Sequence, residues 1–311
     1  MPFAIGGNAR IRTNISAENA YNALETSNRD ISLRQLRLST GKRINSAADD
    51  VAGYITSRAL QSRNSALNAA MNAAGDAKNV TNILMDSLDN IYNQLNSIRD
   101  STATAGSGSM GTDEKVALAK AAFRMAEQIQ TIVDSTVFGG RQLLDGKYIA
   151  NYVIGTTAAH DLLTLSIDMT TSNIDYNVES RNFDVNSMSV DIFAGVTGLD
   201  LRAFDEVSAH GLGIFDDTVI GVTLGSIAKA IDNVNKAASY LGGVANRLTS
   251  QEDIIKSQIT NYNTAISRIE DADVAMEQLQ LVKSQFLQQA SLVSLAQANA
   301  NPQAFLRLIQ G

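Results

Sequence analysis

Three groups of residues in this chain have types and spacings that could carry chemistry, and the first is a glycine-rich motif. Gly106, Gly108 and Gly111 form a Gly-x-Gly-x-x-Gly spacing. A dinucleotide-binding loop of that spacing follows a strand and needs an acidic residue at the end of the next strand. Here the preceding segment has helical periodicity, and Asp134, about the right distance on, lies in another helical segment. The motif therefore predicts a loop between two helices.

The second group consists of acidic clusters, which could offer oxygen ligands to a hard cation. They are Asp49-Asp50, Asp216-Asp217 and Glu270-Asp271-Ala272-Asp273. None of them has the spacing of an EF-hand loop. Because Arg43 and Arg268 lie beside two of the clusters, ion pairing or helix capping is the better interpretation. No metal site is predicted.

The third group is the two histidines, His160 and His210, which lie in a region of strand-like sequence and in the segment after it. Neither belongs to a ligand cluster or to a nucleophile–base pattern. The chain has no cysteine, which excludes thiol chemistry. A zinc protease would need a His-Glu-x-x-His helix, and none exists. We therefore predict no catalytic residues and no cofactor, and we expect the chain not to be an enzyme.

Charge and hydropathy exclude two further classes of partner. The formal net charge is −7 and no basic run of five or more residues occurs, which argues against a nucleic-acid surface. No run of eighteen apolar residues exists, so no membrane-spanning helix is expected. Residues 1–14 lack the continuous apolar block of a cleaved secretory signal. A protein destined for the cell exterior would need another export route.

The elements that must position these residues are helices with coiled-coil periodicity. One apolar stripe repeats every seven residues near the N-terminus, and two others alternate spacings of three and four. The stripes are Ala17, Leu24, Ile31 and Leu38; Leu84, Leu88, Ile91, Leu95 and Ile98; and Ile255, Ile259, Tyr262, Ile266 and Ile269. Such a stripe is a surface that another helix must cover.

The order of the predicted elements is helices, then strands, then helices again. The fold class is mainly α: a long antiparallel helical bundle or coiled coil formed by both chain ends, with a β-hairpin region and a small β-rich insertion at the tip. Helices are expected over residues 16–40, 46–103, 113–135 and 225–300, with a break near 271–273; strands over 148–154 and 162–167; and weaker strands over 185–193 and 218–224.

The C-terminal tail is unusually apolar for a segment with so few charges. Leaving such a segment in water would be costly, so a partner surface is expected to cover it. Its large apolar residues are Leu279, Phe286, Leu287, Leu292, Val293, Leu295, Phe305, Leu306, Leu308 and Ile309.

Several sequence motifs at both chain ends resemble those of bacterial flagellins. At the N-terminal end they are Thr13-Asn14, the run 38–50 (LSTGKRINSAADD) and Gly53. At the C-terminal end they are the runs 240–248 (YLGGVANRL), 267–273 (SRIEDAD), 285–290 (QFLQQA) and 295–299 (LAQAN), followed by Pro302-Gln303. The resemblance covers about residues 1–145 and 225–311, in the family's order and separation.

The resemblance implies a filament subunit that polymerises for swimming motility, lies outside the cell and is exported unfolded through the flagellar type III apparatus. It implies three domains. Residues 1–44 with 273–311 would form a terminal coiled-coil inner domain that lines a central channel and folds on assembly. Residues 45–169 with 225–272 would form a helical rod domain with a β-hairpin. Residues 170–224 would form a short variable outer insertion. The alternative is a hook–filament junction protein, but the Leu-Ala-Gln-Ala-Asn run and the Pro302-Gln303 ending favour flagellin.

The resemblance and the apolar stripes together predict which residues contact other subunits. Further implied partners are other flagellins, an export chaperone, a cap protein, hook-junction proteins and an innate immune receptor. For the receptor, Ser97 and Ser101 replace the Arg and Leu of the usual motif, which weakens the expected recognition. The predicted subunit-contact residues are Leu24, Ile31, Leu38, Arg43, Asp49, Arg99, Ile266, Ile269, Phe286, Leu287, Leu292, Leu295, Phe305, Leu306 and Leu308.

Overall fold

The computed structural model describes residues 13–156, 162–170, 182–186 and 192–310. It is mainly helical, as predicted. Among the described residues, no helix combines the length and apolarity needed to cross a membrane. The elements are α1 Ile15–Thr40, α2 Val51–Ala105, α3 Thr112–Ser135, β1 Val137–Phe138, β2 Arg141–Gln142, β3 Ile149–Thr156, β4 Leu162–Asp168, β5 Ile192–Phe193, β6 Val196–Thr197, α4 Ile220–Glu270 and α5 Val274–Gln310, with 3-10 turns at Leu201–Phe204 and Gly213–Phe215.

Two compact units make up the described chain. The terminal unit contains the described residues up to Asn64 and those from Thr260 onward, and the central unit is Ser65–Ile259. These units group residues by contact within one chain. The domain limits expected from the sequence, at residues 44 and 273, concern an assembled filament and stay a prediction.

The central unit has one hydrophobic core to which α2, α3 and α4 all contribute. The predicted α2 stripe, from Leu84 to Ile98, is fully buried. Helix α3 adds Ala122, Ala126 and Ile129, and α4 adds a row in which buried residues alternate spacings of three and four. The α4 row is Ile220, Thr223, Ile227, Ala230, Val234, Ala237, Leu241, Val244 and Leu248. The coiled-coil periodicity predicted for α2 is therefore confirmed. Of the stripe predicted in α4, Ile255 is buried, and the other members are half-buried: Ile259, Tyr262, Ile266 and Ile269.

Two β-hairpins follow α3. The β1–β2 turn is Gly139-Gly140, and both glycines have positive φ (59° and 78°), which is the backbone of the two-residue turns that suit the twist of a hairpin. Strands β3 and β4 pair antiparallel from Ile149↔Asp168 to Thr156↔Leu162, with an irregularity between Val153 and Gly155. The predicted hairpin is therefore present.

The insertion after β4 holds one short strand pair, β5–β6, and the two 3-10 turns among its described residues. Phe204 and Phe215 stack at 5.4 Å between ring centroids. Lys115 of α3 forms an ion pair of 2.6 Å with Asp217, which ties the segment to the helices. Of the weaker strand predicted over 185–193, Val185 and Asn186 lie in a turn, Ile192–Phe193 is strand and 187–191 lies outside the described residues.

The strand predicted over 218–224 is wrong, because α4 already begins at Ile220. The β-branched run Thr218-Val219-Ile220 suggested a strand. However, the Asp216 side chain accepts the Thr218 backbone N–H at 3.0 Å, and the Asp216 carbonyl accepts from Ile220 N at 2.9 Å. These bonds start the first helical turn, and the buried Ile220 and Thr223 hold it on the core. Tertiary packing outweighs the local preference for strand.

Candidate subunit-contact surface

Helices α1 and α5 pack against each other in the terminal unit, and hydrogen bonds fix their antiparallel register. Asn14 Nδ2 donates to the Ala298 carbonyl at 2.8 Å, and Gln288 Nε2 donates to Asn28 Oδ1 at 2.6 Å. We call the shielded rows of the two helices the seam. It consists of Ala17, Ala20, Leu24, Ser27, Ile31, Arg34 and Leu38 on α1, and Glu277, Leu281, Ser284, Gln288, Ser291, Leu295, Ala298 and Pro302 on α5.

Both seam rows alternate spacings of three and four, but the α5 row is mostly polar or small. Its large aliphatic residues are Leu281 and Leu295, and it also holds Glu277, Ser284 and Gln288. A seam of this composition buries little apolar surface, so it contributes less to stability than the apolar rows of the central unit.

A row of exposed apolar residues on α5 lies on the side of the helix opposite the seam. At 100° per residue, Leu279, Val282, Phe286 and Val293 all fall within about 40° of that side, and Met276 lies at the edge of the row. Phe286 and Val293 are each 71% exposed, and the other members are exposed as well. We call this row the α5 apolar face; its members are Met276, Leu279, Val282, Phe286 and Val293. Full burial of one such side chain is worth about 1.5–3 kcal/mol. Of the tail side chains that the structure describes, α1 therefore covers Leu295 but leaves the α5 apolar face uncovered.

The predicted contact residues fall into two classes of exposure. Phe286, Leu287 and Leu292 are exposed on α5. Half-buried are Leu24, Ile31, Leu38, Leu295, Ile266, Ile269 and Arg99, the first four of them in the seam. Phe305, Leu306 and Leu308 lie within α5, and their side chains are outside what the structure describes.

The short segments that link the helices of the terminal unit are joined to each other. Gly41, in the left-handed region (φ 70°), ends α1, and its carbonyl accepts from Ala272 N at 2.9 Å. Arg43 N donates to the Glu270 carbonyl at 2.6 Å, and the Arg43 guanidinium donates to the Ile269 carbonyl at 2.7 Å. A cation at the last carbonyls of α4 complements the helix dipole. We call residues 41–45 with 269–273 the joint; it confirms the helix break predicted near 271–273.

The acidic clusters cap chain turns and helices, as the sequence suggested. Asp273 Oδ1 accepts from Ala275 N and Met276 N at 3.0 and 3.1 Å and so starts α5. Asp50 Oδ1 accepts from Gly53 N at 2.9 Å and starts α2. Asp49 is exposed and accepts from Ser46 N and Asn45 N, and these backbone hydrogen bonds lower the pKa of the Asp49 carboxyl below its usual value. Within the described residues, no group of three or more ligand-type side chains could hold a metal ion.

Two arginines share one carboxylate in the seam, a feature that the sequence reading missed. Arg34 Nη1 lies 2.8 Å from Glu277 Oε2, and Arg37 Nη1 lies 3.3 Å from Glu277 Oε1. The Glu277 side chain is only 9% exposed. The sequence carried no local signal for this pair, because Glu277 is known to occupy a seam position only once α5 is packed on α1. An unpaired charge at such a position would be costly.

Gly53 is required where α2 leaves the joint. A Cβ at this position would come within 2.5 Å of Asp50 Oδ2 and 2.7 Å of Ile44 Cδ1. Since Ile44 is buried, the capping carboxylate would have to leave, and we expect Gly53→Ala to lower the free energy of unfolding by about 1–2 kcal/mol. Urea unfolding followed by circular dichroism measures this.

Gly75 is the matched control, because it lies in the same helix and a Cβ there meets nothing within 4 Å. Gly75→Ala should raise stability by about 0.5–1 kcal/mol, as expected for a helix interior. Equal effects of the two substitutions would show that the close approach at Gly53 is unimportant.

The remaining motifs have structural roles. The three glycines of the Gly-x-Gly-x-x-Gly motif lie between α2 and α3, and Gly111 N donates to Glu114 Oε2 at 3.1 Å, so the predicted helix–helix loop is confirmed. His210 is exposed and His160 lies outside the described residues.

On α2, the Ser97 and Ser101 hydroxyls donate to carbonyls of their own helix at 3.1 and 2.9 Å. Arg99 pairs with its neighbour Asp100 at 3.2 Å.

Comparison with known proteins covers nearly the whole chain. The family model for the bacterial flagellin N-terminal helical region matches residues 11–148, and that for the C-terminal helical region matches 224–309. Flagellin of Bacillus subtilis (strain 168) is 30% identical over 316 residues, which cover 97% of this chain and 100% of that protein. The flagellar filament 33 kDa core protein of Treponema phagedenis is 25% identical over 300 residues, which cover 96% of this chain and 99% of that protein.

The fold also has a match among solved structures. A Vibrio parahaemolyticus structure described as a flagellar hook-associated protein superposes with a TM-score of 0.56 at 16% identity, covering 72% of this chain and 100% of that one. At that identity, the likeness concerns the fold alone.

Proposed function

This chain belongs to the bacterial flagellin family, and from that premise we propose that it assembles by burying the α5 apolar face against other copies of itself. It is a structural subunit of the flagellar filament, outside the cell, and not an enzyme. The relatives named flagellin and filament core protein do not favour the alternative of a hook–filament junction protein.

The observation that carries the proposal is the arrangement of α5, with polar and small residues toward α1 and Phe286 and Val293 toward solvent. When another copy covers apolar side chains that α1 leaves exposed, their burial lowers the free energy of the assembled state. A contact between different surfaces of two copies, repeated without closing into a ring, generates a helical filament. The α5 apolar face meeting a different surface of the next subunit would be such a contact.

We further propose that α1 and α5 are weakly held in the free subunit and become fully ordered in the filament. Their seam buries few large aliphatic side chains, and helices of this kind depend on tertiary packing for stability. Folding that waits for a partner is the expected behaviour of such segments. In this proposal residues 1–44 with 273–311 form the inner domain around a central channel, 45–169 with 225–272 form the rod domain, and 170–224 form the outer insertion.

The same proposal also accounts for how the subunit is exported and which proteins it meets before and during assembly. A subunit whose ends order late can pass a narrow export channel unfolded, which fits the flagellar type III route. An export chaperone would cover the α5 apolar face before assembly, and cap and hook-junction proteins would meet the subunit at the two ends of the filament. Recognition by an innate immune receptor would be weak, because the Ser97 and Ser101 hydroxyls bond to their own helix.

Seeded polymerisation combined with trypsin digestion tests the proposal. Purified subunits given salt and short filament seeds should form long filaments in negative-stain electron microscopy. Trypsin should cut the free subunit at Arg34 and Lys283 and leave a core of about residues 45–270, whereas both sites should resist cleavage in filaments.

Two results would count against the proposal. Subunits that stay monomeric with seeds would contradict self-assembly of this chain alone. Free subunits that resist trypsin at Arg34 and Lys283 as well as filaments do would show that α1 and α5 are already fully ordered before assembly.

A further inference from the structure

We propose that Met276 is an oxidation site that controls whether a subunit can join the filament. The inference rests on the proposed function, because it requires that self-assembly buries the α5 apolar face. It adds a chemical step that acts on the subunit before assembly and that has its own readout.

Met276 differs in exposure from every other methionine that the structure describes. Its side chain is 56% exposed on the α5 apolar face. Met169 is fully buried in the central core, and the remaining described methionines, Met71, Met85, Met110 and Met125, are half-buried. A thioether that solvent reaches is oxidised more readily than one inside a core. A solution oxidant should therefore reach Met276 before the other methionines that the structure describes.

The Met276 side chain contributes to no part of the central core. The residue is held through its backbone, since its N–H donates to Asp273 Oδ1 at 3.1 Å in the first turn of α5. Oxidation there changes the exposed surface of α5 and leaves the Asp273 cap in place. The free subunit should therefore keep its fold. Oxidation of the buried Met169 would instead place a polar group inside the central core and should destabilise it.

The chemical step is transfer of one oxygen atom from a peroxide. The Sδ lone pair attacks hydrogen peroxide, an S–O bond forms, the O–O bond breaks and water leaves. Sulfur is oxidised by two electrons and the peroxide is reduced. The product sulfoxide is a polar acceptor at the N-terminal edge of the α5 apolar face. When another subunit covers it without supplying a donor, burial of the polar group opposes association.

The experiment compares peroxide-treated and untreated subunits in the seeded assembly assay. Hydrogen peroxide should convert Met276 to the sulfoxide before Met169, as seen by peptide mass spectrometry, with an unchanged circular dichroism spectrum. The critical concentration for assembly should rise about tenfold. Treatment of oxidised subunits with methionine sulfoxide reductase should return the critical concentration to the value of untreated subunits. In filaments formed before treatment, Met276 should be protected.

Two variants separate this site from oxidation elsewhere. Met276→Leu keeps the apolar face and should assemble normally before and after peroxide. Met276→Gln places a polar group there permanently and should assemble poorly without any oxidant. Peroxide sensitivity that persists in Met276→Leu, or oxidation of Met276 that is as fast in filaments as in subunits, would overturn the inference while untreated assembly still supports the proposed function. Failure of untreated subunits to assemble would instead overturn the proposed function.

Discussion

Phe286→Asp is expected to abolish filament formation while the isolated subunit keeps its central unit folded. The wild-type side chain is 71% exposed, so its loss costs the free subunit little. In the filament the introduced carboxylate would have to be buried in an apolar contact, which costs several kcal/mol unless it is paired. A penalty of about 3 kcal/mol per contact already raises the critical concentration more than 100-fold. Sedimentation of filaments after seeding measures this.

The control for Phe286→Asp is Phe286→Leu, which changes the size of the side chain but keeps it apolar. It should raise the critical concentration far less than the charged variant does. Circular dichroism of both variants should match the wild type, because α5 contributes no residue to the central core. Filaments of normal stability formed by Phe286→Asp would show that the exposed side of α5 does not form the subunit contact.

Local periodicity was enough to predict most of the fold. Buried rows such as Leu84 to Ile98 repeat at coiled-coil spacing, so a core-facing stripe is visible without knowledge of its partner. Two helix ends were visible in the sequence. Gly41 is a residue type common just after a helix, and Asp273 interrupts the apolar spacing of the C-terminal stripe. The apolar tail was also visible as a surface needing cover. These features depend on residues close together in the chain.

Features that depend on distant partners were not visible. No local pattern shows the pairing of Glu277, because its partner Arg34 lies 243 residues away. Which side of α5 would face α1 was equally hidden. Helix α5 carries both the mostly polar seam row and the α5 apolar face, and the sequence alone favours pairing through the apolar face. The structure pairs α5 through the polar row, since Glu277 meets two arginines there. The apolar row is thereby left for other subunits.

Glu277→Gln is expected to weaken the filament strongly, because it removes the one carboxylate shared by Arg34 and Arg37. The Arg34 and Arg37 side chains are largely shielded, and they would remain charged next to a neutral amide. Losing a charged partner in such a place costs roughly 2 kcal/mol. Assembly requires ordered terminal helices in the proposed function, so this cost should raise the critical concentration for assembly about 30-fold. Sedimentation after seeding gives the value.

Glu252→Gln supplies the matched comparison, since it makes the same chemical change in a single ion pair of the central unit. Glu252 lies 3.1 Å from Lys78, whose side chain is 38% exposed against 16% for Arg37. A single pair whose cation is open to solvent in this way is worth about 0–1 kcal/mol. Its critical concentration should therefore stay near that of the wild type. The double variant Arg37→Gln/Glu277→Gln should recover part of the loss, because it removes one of the two unpaired charges. Equal effects of Glu277→Gln and Glu252→Gln would show that the shared carboxylate is not what holds α1 against α5 in the filament.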